Sequence, residues 1–123
     1  MDTLPGISAT ARAENVANAV RDAGNDIEDA RELPQSLLDT LHDARLFRLL
    51  LPRDLEGDEL DPLTLSKVTE TIAAQDGSTA WCLGQGAGCA MSAAFLERSI
   101  AKEVFGPANS VLAWGAGGEL AIG

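Results

Sequence analysis

The side chains that most often carry chemistry, histidine and cysteine, are few in this sequence. Its one histidine, His42, lies between Asp39 and Asp43 and is interpreted as a solvated residue of an acidic helix surface. Cys82 and Cys89 are seven residues apart in one predicted helix, roughly 10 Å along its axis, whereas a disulfide needs Cα atoms within about 7 Å. These residues therefore assemble neither a nucleophile–base pair nor a metal site.

Two glycine-rich segments are candidates for phosphate binding. In the first, Gly84-Gln85-Gly86-Ala87-Gly88, the sixth position of the dinucleotide-binding fingerprint is Cys89, and no strand–helix–strand frame surrounds it. The second, Gly115-Ala116-Gly117-Gly118, follows a possible strand, but no helix follows it. Neither segment is predicted to hold a phosphate.

The charge balance limits the classes of partner. The formal net charge is −10, from 19 acidic and 9 basic side chains. Nucleic acids and anionic membranes are bound mainly by clustered cations, so neither is expected as a partner. The start, Met1-Asp2-Thr3-Leu4-Pro5, has neither the basic nor the apolar region of a secretory signal. Because the apolar stretch from Ala80 to Leu96 falls short of the about 20 residues of a spanning helix, we expect a cytoplasmic protein.

Apolar periodicity and capping residues predict an all-α bundle of about five helices. A buried connector, Leu46–Leu51, and an exposed loop, Arg53–Leu60, are expected in the middle of the chain, because Pro52 favours extended backbone before it. The predicted helices cover Ala9–Ala30, Pro34–Ala44, Asp61-Pro62 to the Asp76-Gly77-Ser78 segment, Thr79–Phe95 and Glu97–Phe105.

The end of the sequence departs from this helical pattern. Ser110 to Trp114 has the composition of a strand, and a strand without a partner is a liability for a folded protein. We therefore predict a helical domain over residues 1–108 and the start of a truncated β-domain over residues 109–123.

The fourth predicted helix is unusually thin. Its large apolar residues are Trp81, Leu83, Met91 and Phe95, and most of the others are alanine or glycine. Three glycines cost about 3 kcal/mol of helix propensity. We expect tight packing against this helix, on the face that Gly84 and Gly88 share.

Four segments taken together carry a resemblance to a known family. They are Leu33-Pro34, Leu50-Leu51-Pro52, Asp76-Gly77-Ser78-Thr79-Ala80-Trp81-Cys82 and Val104-Phe105-Gly106. In this order and at these distances the sequence resembles the N-terminal helical domain of the acyl-CoA dehydrogenase superfamily, and most closely its flavin-dependent monooxygenase branch. The resemblance covers about Ala9 to Gly118.

The resemblance implies a subunit of three parts: this helical domain, a β-domain and a C-terminal helical bundle, usually assembled as a homotetramer. It implies a flavin cofactor, FAD or FMN, bound mainly by the other domains. In the monooxygenase branch a partner reductase supplies reduced flavin, which reacts with oxygen to oxygenate an aromatic, thiophene-like or polyketide-like substrate.

The resemblance also implies roles for particular residues. Trp81 corresponds to a tryptophan that lies at the flavin, with a buried core anchor as the alternative interpretation. Cys89 stands where relatives often carry a histidine that faces the substrate, and Gln85 is assigned with it to the substrate pocket; Cys89 is alternatively an inert buried thiol. Ala116, Gly117 and Gly118 correspond to the point where the β-domain first approaches the flavin.

The loop after Pro52 also departs from the pattern of the family. Glu56-Gly57 stands where relatives commonly have two successive glycines, so this loop is expected to differ in shape.

A true acyl-CoA dehydrogenase is the enzymatic alternative, since its catalytic glutamate would lie beyond Gly123. A noncatalytic helical module from a truncated or split gene, acting through protein association, is the alternative from another class.

Overall fold

Residues 7–115 are described by a computed structural model of the chain. The predicted flavin-contact residues Ala116, Gly117 and Gly118 lie outside the described residues. Within residues 7–115 the chain forms helices and no strand. The helices are α1 Ala9–Asp22, α2 Gly24–Ala30, α3 Gln35–Asp43, α4 Pro62–Ala73, α5 Gly77–Ala90 and α6 Arg98–Phe105, with 3₁₀ turns at Arg53–Leu55 and Met91–Phe95. The predicted all-α fold is confirmed.

The helix boundaries correct the sequence prediction in two places. The first predicted helix is divided at Ala23, whose ψ of −7° leaves the α-helical range just before Gly24. The fourth predicted helix begins at Gly77 and changes at Met91 into a 3₁₀ turn. The predicted strand at residues 110–114 has no paired strand in the described part of the chain, so the strand and the boundary at residue 108 stay predictions.

Polar side chains at the helix starts explain where three helices begin. Ser8 accepts a hydrogen bond from the Ala11 amide at 3.1 Å, and Asp61 accepts one from the Thr64 amide at 2.9 Å. Asp76 accepts bonds from both the amide and the hydroxyl of Thr79, each at 2.7 Å. Each carboxylate or hydroxyl satisfies an amide that has no partner within its helix.

The main core lies where α1, α3, α4 and α5 pack together. Its most enclosed side chains recur at helical spacing, so each helix buries one stripe. Residues of this core include Ala13, Val16, Val20, Leu37, Leu41, Leu46, Val68, Ile72, Leu83 and Ala87. A smaller cluster lies beside it and joins the connector to α5 and α6 through Leu51, Ala90, Ala93, Ala101 and Phe105.

The predicted connector is buried, and the predicted loop that follows it folds back against it. The amides of Asp58 and Leu60 donate to the carbonyls of Arg48 and Leu49 at 3.0 and 2.9 Å. This pairing brings the end of the predicted loop against the connector. Asp58 also accepts a 2.7 Å hydrogen bond from the buried side chain of Arg12, which ties the loop to α1.

Arg48 is the most enclosed charged residue of the connector, with 4% of its surface exposed. Its guanidinium donates to the carbonyls of Leu55, Phe105 and Pro107 at 3.0, 2.9 and 3.2 Å. Desolvation by burial lowers the pKa of Arg48, and nearby Arg45 lowers it further. The side chain joins the connector to the C-terminal end of α6, where helix carbonyls lack partners within the helix.

Replacing Arg48 with methionine should lower the free energy of unfolding by roughly 2–4 kcal/mol, because buried carbonyls lose charged donors and are left unpaired. Urea denaturation followed by circular dichroism measures the change. Arg53→Met is the matched control, since Arg53 is exposed and should change stability by less than about 0.5 kcal/mol. Equal effects of the two substitutions would contradict the role given to Arg48.

Glu56 adopts a left-handed backbone with φ of 66°. Glu56→Gly should raise the free energy of unfolding by up to about 1 kcal/mol, because glycine adopts this conformation without strain. Chemical denaturation compares it with Glu70→Gly, in the interior of α4, which should lose about 1 kcal/mol. A loss of stability in both variants would show that the left-handed backbone at Glu56 is unstrained.

Candidate functional site

One side of α5 is left uncovered by the rest of the described chain. Five residues, each one or three positions from the next, share a face of α5 and its immediate end. They are Trp81, Gly84, Gln85, Gly88 and Met91. We call this surface the α5 open face. Its residues are exposed, apart from Gln85, which is half-buried. The opposite side of α5 carries the buried residues Ala80, Leu83, Ala87 and Ala90.

Trp81 projects from the α5 open face with 70% of its surface exposed. The interpretation of Trp81 as a core anchor is therefore wrong for this domain. Its assignment to the flavin is not tested by the described residues and stays a prediction. Phe95, in the 3₁₀ turn that follows α5, is 88% exposed, so the chain shows large apolar groups at both ends of this surface.

The α5 open face carries no charge, because the sequence has no ionisable acid or base other than cysteine from Gly77 to Phe95. Its shape comes from Gly84 and Gly88: a Cβ atom at either position would meet no other atom within 4 Å. Nothing in the described chain packs against these two glycines. The predicted tight packing on their shared face is therefore wrong within this domain.

The close approach to α5 occurs instead at Gly86, on its inner side. A Cβ atom there would lie 2.9 Å from Cδ1 of Phe47 and 3.2 Å from Cγ1 of Val111. Contacts below 3.0 Å are shorter than van der Waals packing permits, so a side chain at Gly86 would displace its neighbours. The glycine content of this helix signalled a close approach, but within the described chain that approach occurs at Gly86 and not on the face of Gly84 and Gly88.

The two predicted substrate-pocket residues have different surroundings. Gln85 is half-buried at the edge of the α5 open face, where its amide could donate and accept hydrogen bonds. Cys89 is 8% exposed, which confirms that it is a buried thiol. The two residues lie four positions apart and on the same side of α5. Whether they contact a substrate stays a prediction.

The other reactive side chains do not form a catalytic cluster. Cys82 is exposed, and partial desolvation, followed by the charge of Asp76, raises the pKa of its thiol. Both cysteines are free, as the spacing predicted. His42 is half-buried rather than fully solvated, with its ring centroid 4.8 Å from that of Phe47.

Residues 7–115 contain neither a metal-ligand cluster nor a helix that could span a membrane. No group of three or more histidine, cysteine or acidic side chains lies close enough to hold a metal ion. In the same residues, no helix combines the length and apolar character that crossing a membrane requires.

A family model described as the N-terminal domain of acyl-CoA dehydrogenase matches residues 7–104. The match covers α1 to α5, all of α6 but its last residue, and most of residues 7–115. It ends before the predicted strand.

Curated relatives match a shorter part of the chain. The oxygenase subunit HsaA of a flavin-dependent monooxygenase from Mycobacterium tuberculosis (strain CDC 1551 / Oshkosh) is 34% identical over 74 residues, which are 60% of this chain and 19% of the relative. The HsaA subunit from Rhodococcus jostii (strain RHA1) is 30% identical over 70 residues, 57% of this chain and 18% of the relative. The matched part of the chain thus spans about a fifth of the length of these relatives.

Gly88→Leu should stabilise this chain by up to about 1 kcal/mol, because the position is open and leucine is the better helix former. Gly86→Leu, on the same helix, should destabilise it by roughly 1–3 kcal/mol through overpacking against Phe47. Denaturant unfolding of both variants beside the parent measures the two changes. A fall in stability for Gly88→Leu would mean that the α5 open face is covered in this protein.

Proposed function

This chain belongs to the family of acyl-CoA dehydrogenase N-terminal domains, and from that membership we propose that it forms one wall of the flavin and substrate pocket of a flavin-dependent oxidoreductase. The enzyme we propose is a two-component monooxygenase that oxygenates an aromatic or polyketide-like substrate. The observation that carries this proposal is the 70% exposure of Trp81 on an uncharged helix face. The similarity to flavin-dependent monooxygenase subunits supports the choice of reaction.

The α5 open face fits one side of a flavin ring. Trp81 offers a flat apolar surface, and the absence of side chains at Gly84 and Gly88 leaves room beside it. Aromatic rings stack favourably on such surfaces. No cation lies between Gly77 and Phe95 to bind a phosphate. We assign the flavin phosphates to other domains of the proposed enzyme, and both FAD and FMN are compatible with this surface.

When bound, reduced flavin supplies the activation of oxygen. The residues of this domain contribute position and protection. Trp81 covers one side of the ring and keeps water away from the reacting atoms. The amide of Gln85 orients a polar group of the ring or the substrate, and Cys89 forms part of the apolar wall behind it. The low reactivity expected of a buried thiol fits a wall residue rather than a nucleophile.

The proposed enzyme is completed by parts other than this domain. These are a β-domain, for which Ala116, Gly117 and Gly118 would provide the first approach to the flavin, and a C-terminal helical bundle. We further propose a homo-oligomer, in the form of a tetramer, that is located in the cytoplasm and receives its reduced flavin from a reductase. The small share of each relative that the chain matches supports a longer enzyme.

An acyl-CoA dehydrogenase is the second candidate, because the matching family model is named for that activity. The two reactions differ in what they do with oxygen and with thioesters. A dehydrogenase removes hydrogen from an acyl-CoA and reduces its flavin, whereas a monooxygenase transfers an oxygen atom from O₂ to its substrate.

The experiment uses the full-length enzyme that contains this domain. It is supplied with reduced FMN or FAD, isotopically labelled oxygen and a panel of phenolic and polyketide substrates; in parallel, the oxidised enzyme is mixed with acyl-CoA thioesters. Label in an organic product supports the monooxygenase. Loss of the oxidised-flavin absorbance on adding a thioester supports the dehydrogenase instead. An enzyme that binds no flavin under either condition would contradict both.

Trp81→Ala should lower the yield of oxygenated product per reduced flavin several-fold and raise the release of hydrogen peroxide, because an aromatic contact is worth about 1 kcal/mol and its loss admits water. Product and peroxide are measured together in the same reaction. Leu63→Ala is the control, since Leu63 is a large apolar residue with 66% of its surface exposed and lies on α4, outside the α5 open face. Equal losses in the two variants would remove the special role of Trp81.

A further inference from the structure

The segment that leaves α6 is attached to the rest of the domain at two separate points. At the first point Arg48 donates to the carbonyls of Phe105 and Pro107. At the second point Val111 lies against Gly86 of α5. The segment from Gly106 to Val111 contains no helix or strand, so these two attachments decide its path.

The first attachment is a set of charged hydrogen bonds. Nη1 of Arg48 lies 3.2 Å from the Pro107 carbonyl oxygen, and Nη2 lies 2.9 Å from that of Phe105. The same Pro107 carbonyl accepts the amide of Ser110 at 3.0 Å and closes a turn. One buried guanidinium therefore holds both the end of α6 and the turn after it, and hydrogen bonds to charged groups are the stronger kind.

The second attachment depends on a missing side chain. A Cβ atom at Gly86 would lie 3.2 Å from Cγ1 of Val111 and 2.9 Å from the ring of Phe47. Val111 and Phe47 thus both occupy the space that glycine leaves. At Gly84, two residues earlier, a Cβ atom would have no such neighbour. The segment after α6 is therefore seated on the inner side of α5.

The two attachments share one origin, because Phe47 and Arg48 are consecutive residues of the connector. A shift of the connector would move both contacts together. Gly86 lies five residues after Trp81 in the same helix. The position of Val111 is therefore defined relative to the helix that carries Trp81.

We propose that Phe47, Arg48 and Gly86 are positioning residues that fix the segment from Gly106 to Val111 against α5 and so set where the chain beyond Val111 lies relative to Trp81. Its consequence for catalysis rests on the proposed function, in which that chain leads into the β-domain at the flavin. The attachment itself is a property of this domain and does not depend on any ligand.

The Gly86 contact is tested by methyl NMR on the chain without flavin. The parent should show a nuclear Overhauser effect between the Val111 methyl groups and the Phe47 ring protons. Gly86→Val fills the shared space, so this effect should be lost and the Val111 methyl shifts should change. Gly84→Val is the control, with the same substitution at an open position, and should retain the effect.

The Arg48 contact is tested by hydrogen exchange of the Ser110 amide. Arg48→Lys keeps the charge but lacks the planar fork that reaches two carbonyls, so exchange at Ser110 should accelerate about tenfold or more. Retained methyl contacts in Gly86→Val together with unchanged Ser110 exchange in Arg48→Lys would overturn the proposal. Because no flavin is present, failure here is distinct from failure of the proposed function, which the full-length enzyme tests separately.

Discussion

The buried guanidinium of Arg48 is the interaction on which the second half of this domain depends. A permanent charge removed from water costs several kcal/mol unless it is hydrogen-bonded. Three backbone carbonyls offset this cost, one from the loop after the connector, one from the end of α6 and one from the turn after α6. Because Nε of Arg48 is buried without a hydrogen-bond partner among the described residues, the compensation depends on these three contacts. The loop after the connector must therefore bring the Leu55 carbonyl back to the side chain, and the left-handed backbone at Glu56 belongs to the turn that does so.

This arrangement divides the packing of α5 between two clusters. Leu83 and Ala87 belong with the main core, whereas Ala90 belongs with the smaller cluster that Leu51 and Phe105 close. α5 is covered along its inner side by both clusters in succession. Within residues 7–115 no further element remains to cover the opposite side. Trp81 is therefore exposed because the other helices pack against the inner side of α5 and leave its opposite side uncovered.

Local chemistry made much of the fold predictable. Asp61-Pro62 and Asp76 start their helices through bonds to an amide three residues away, so the relevant atoms are close in sequence. The stripe of Val16 and Val20 depends only on helical period. The role of Arg48 could not be predicted in this way, because two of its carbonyl partners lie 57 and 59 residues away and carbonyls occur at every position. When a side chain binds backbone carbonyls, its partners cannot be recognised from their residue types.

The candidate site was predictable in composition and not in orientation. The glycines of α5 were interpreted as a departure from helix propensity that packing must compensate, and within residues 7–115 this holds at Gly86. Which glycine requires the close approach depends on where Phe47 and Val111 lie, and their placement is a tertiary fact. The same ambiguity applied to Trp81, since period alone gives the relative angle of two residues and not which side faces the core. For that reason the sequence left both the flavin wall and the core anchor open as interpretations of Trp81.

The glycines of α5 thus serve two separate physical purposes. Gly86 permits a contact on the inner side of α5 that orders the segment leaving α6. Gly84 and Gly88 leave the outer face without side chains next to Trp81. Only the inner glycine contributes to packing within residues 7–115. The outer two lower the helix propensity by about 1 kcal/mol each, and no contact within the described residues compensates for this loss. The stability of this domain alone would favour larger residues at Gly84 and Gly88. Glycine at both positions is instead the pattern expected of a surface shaped for contact with another group. The inner packing and the Asp76 cap hold the helix without any contribution from its outer face.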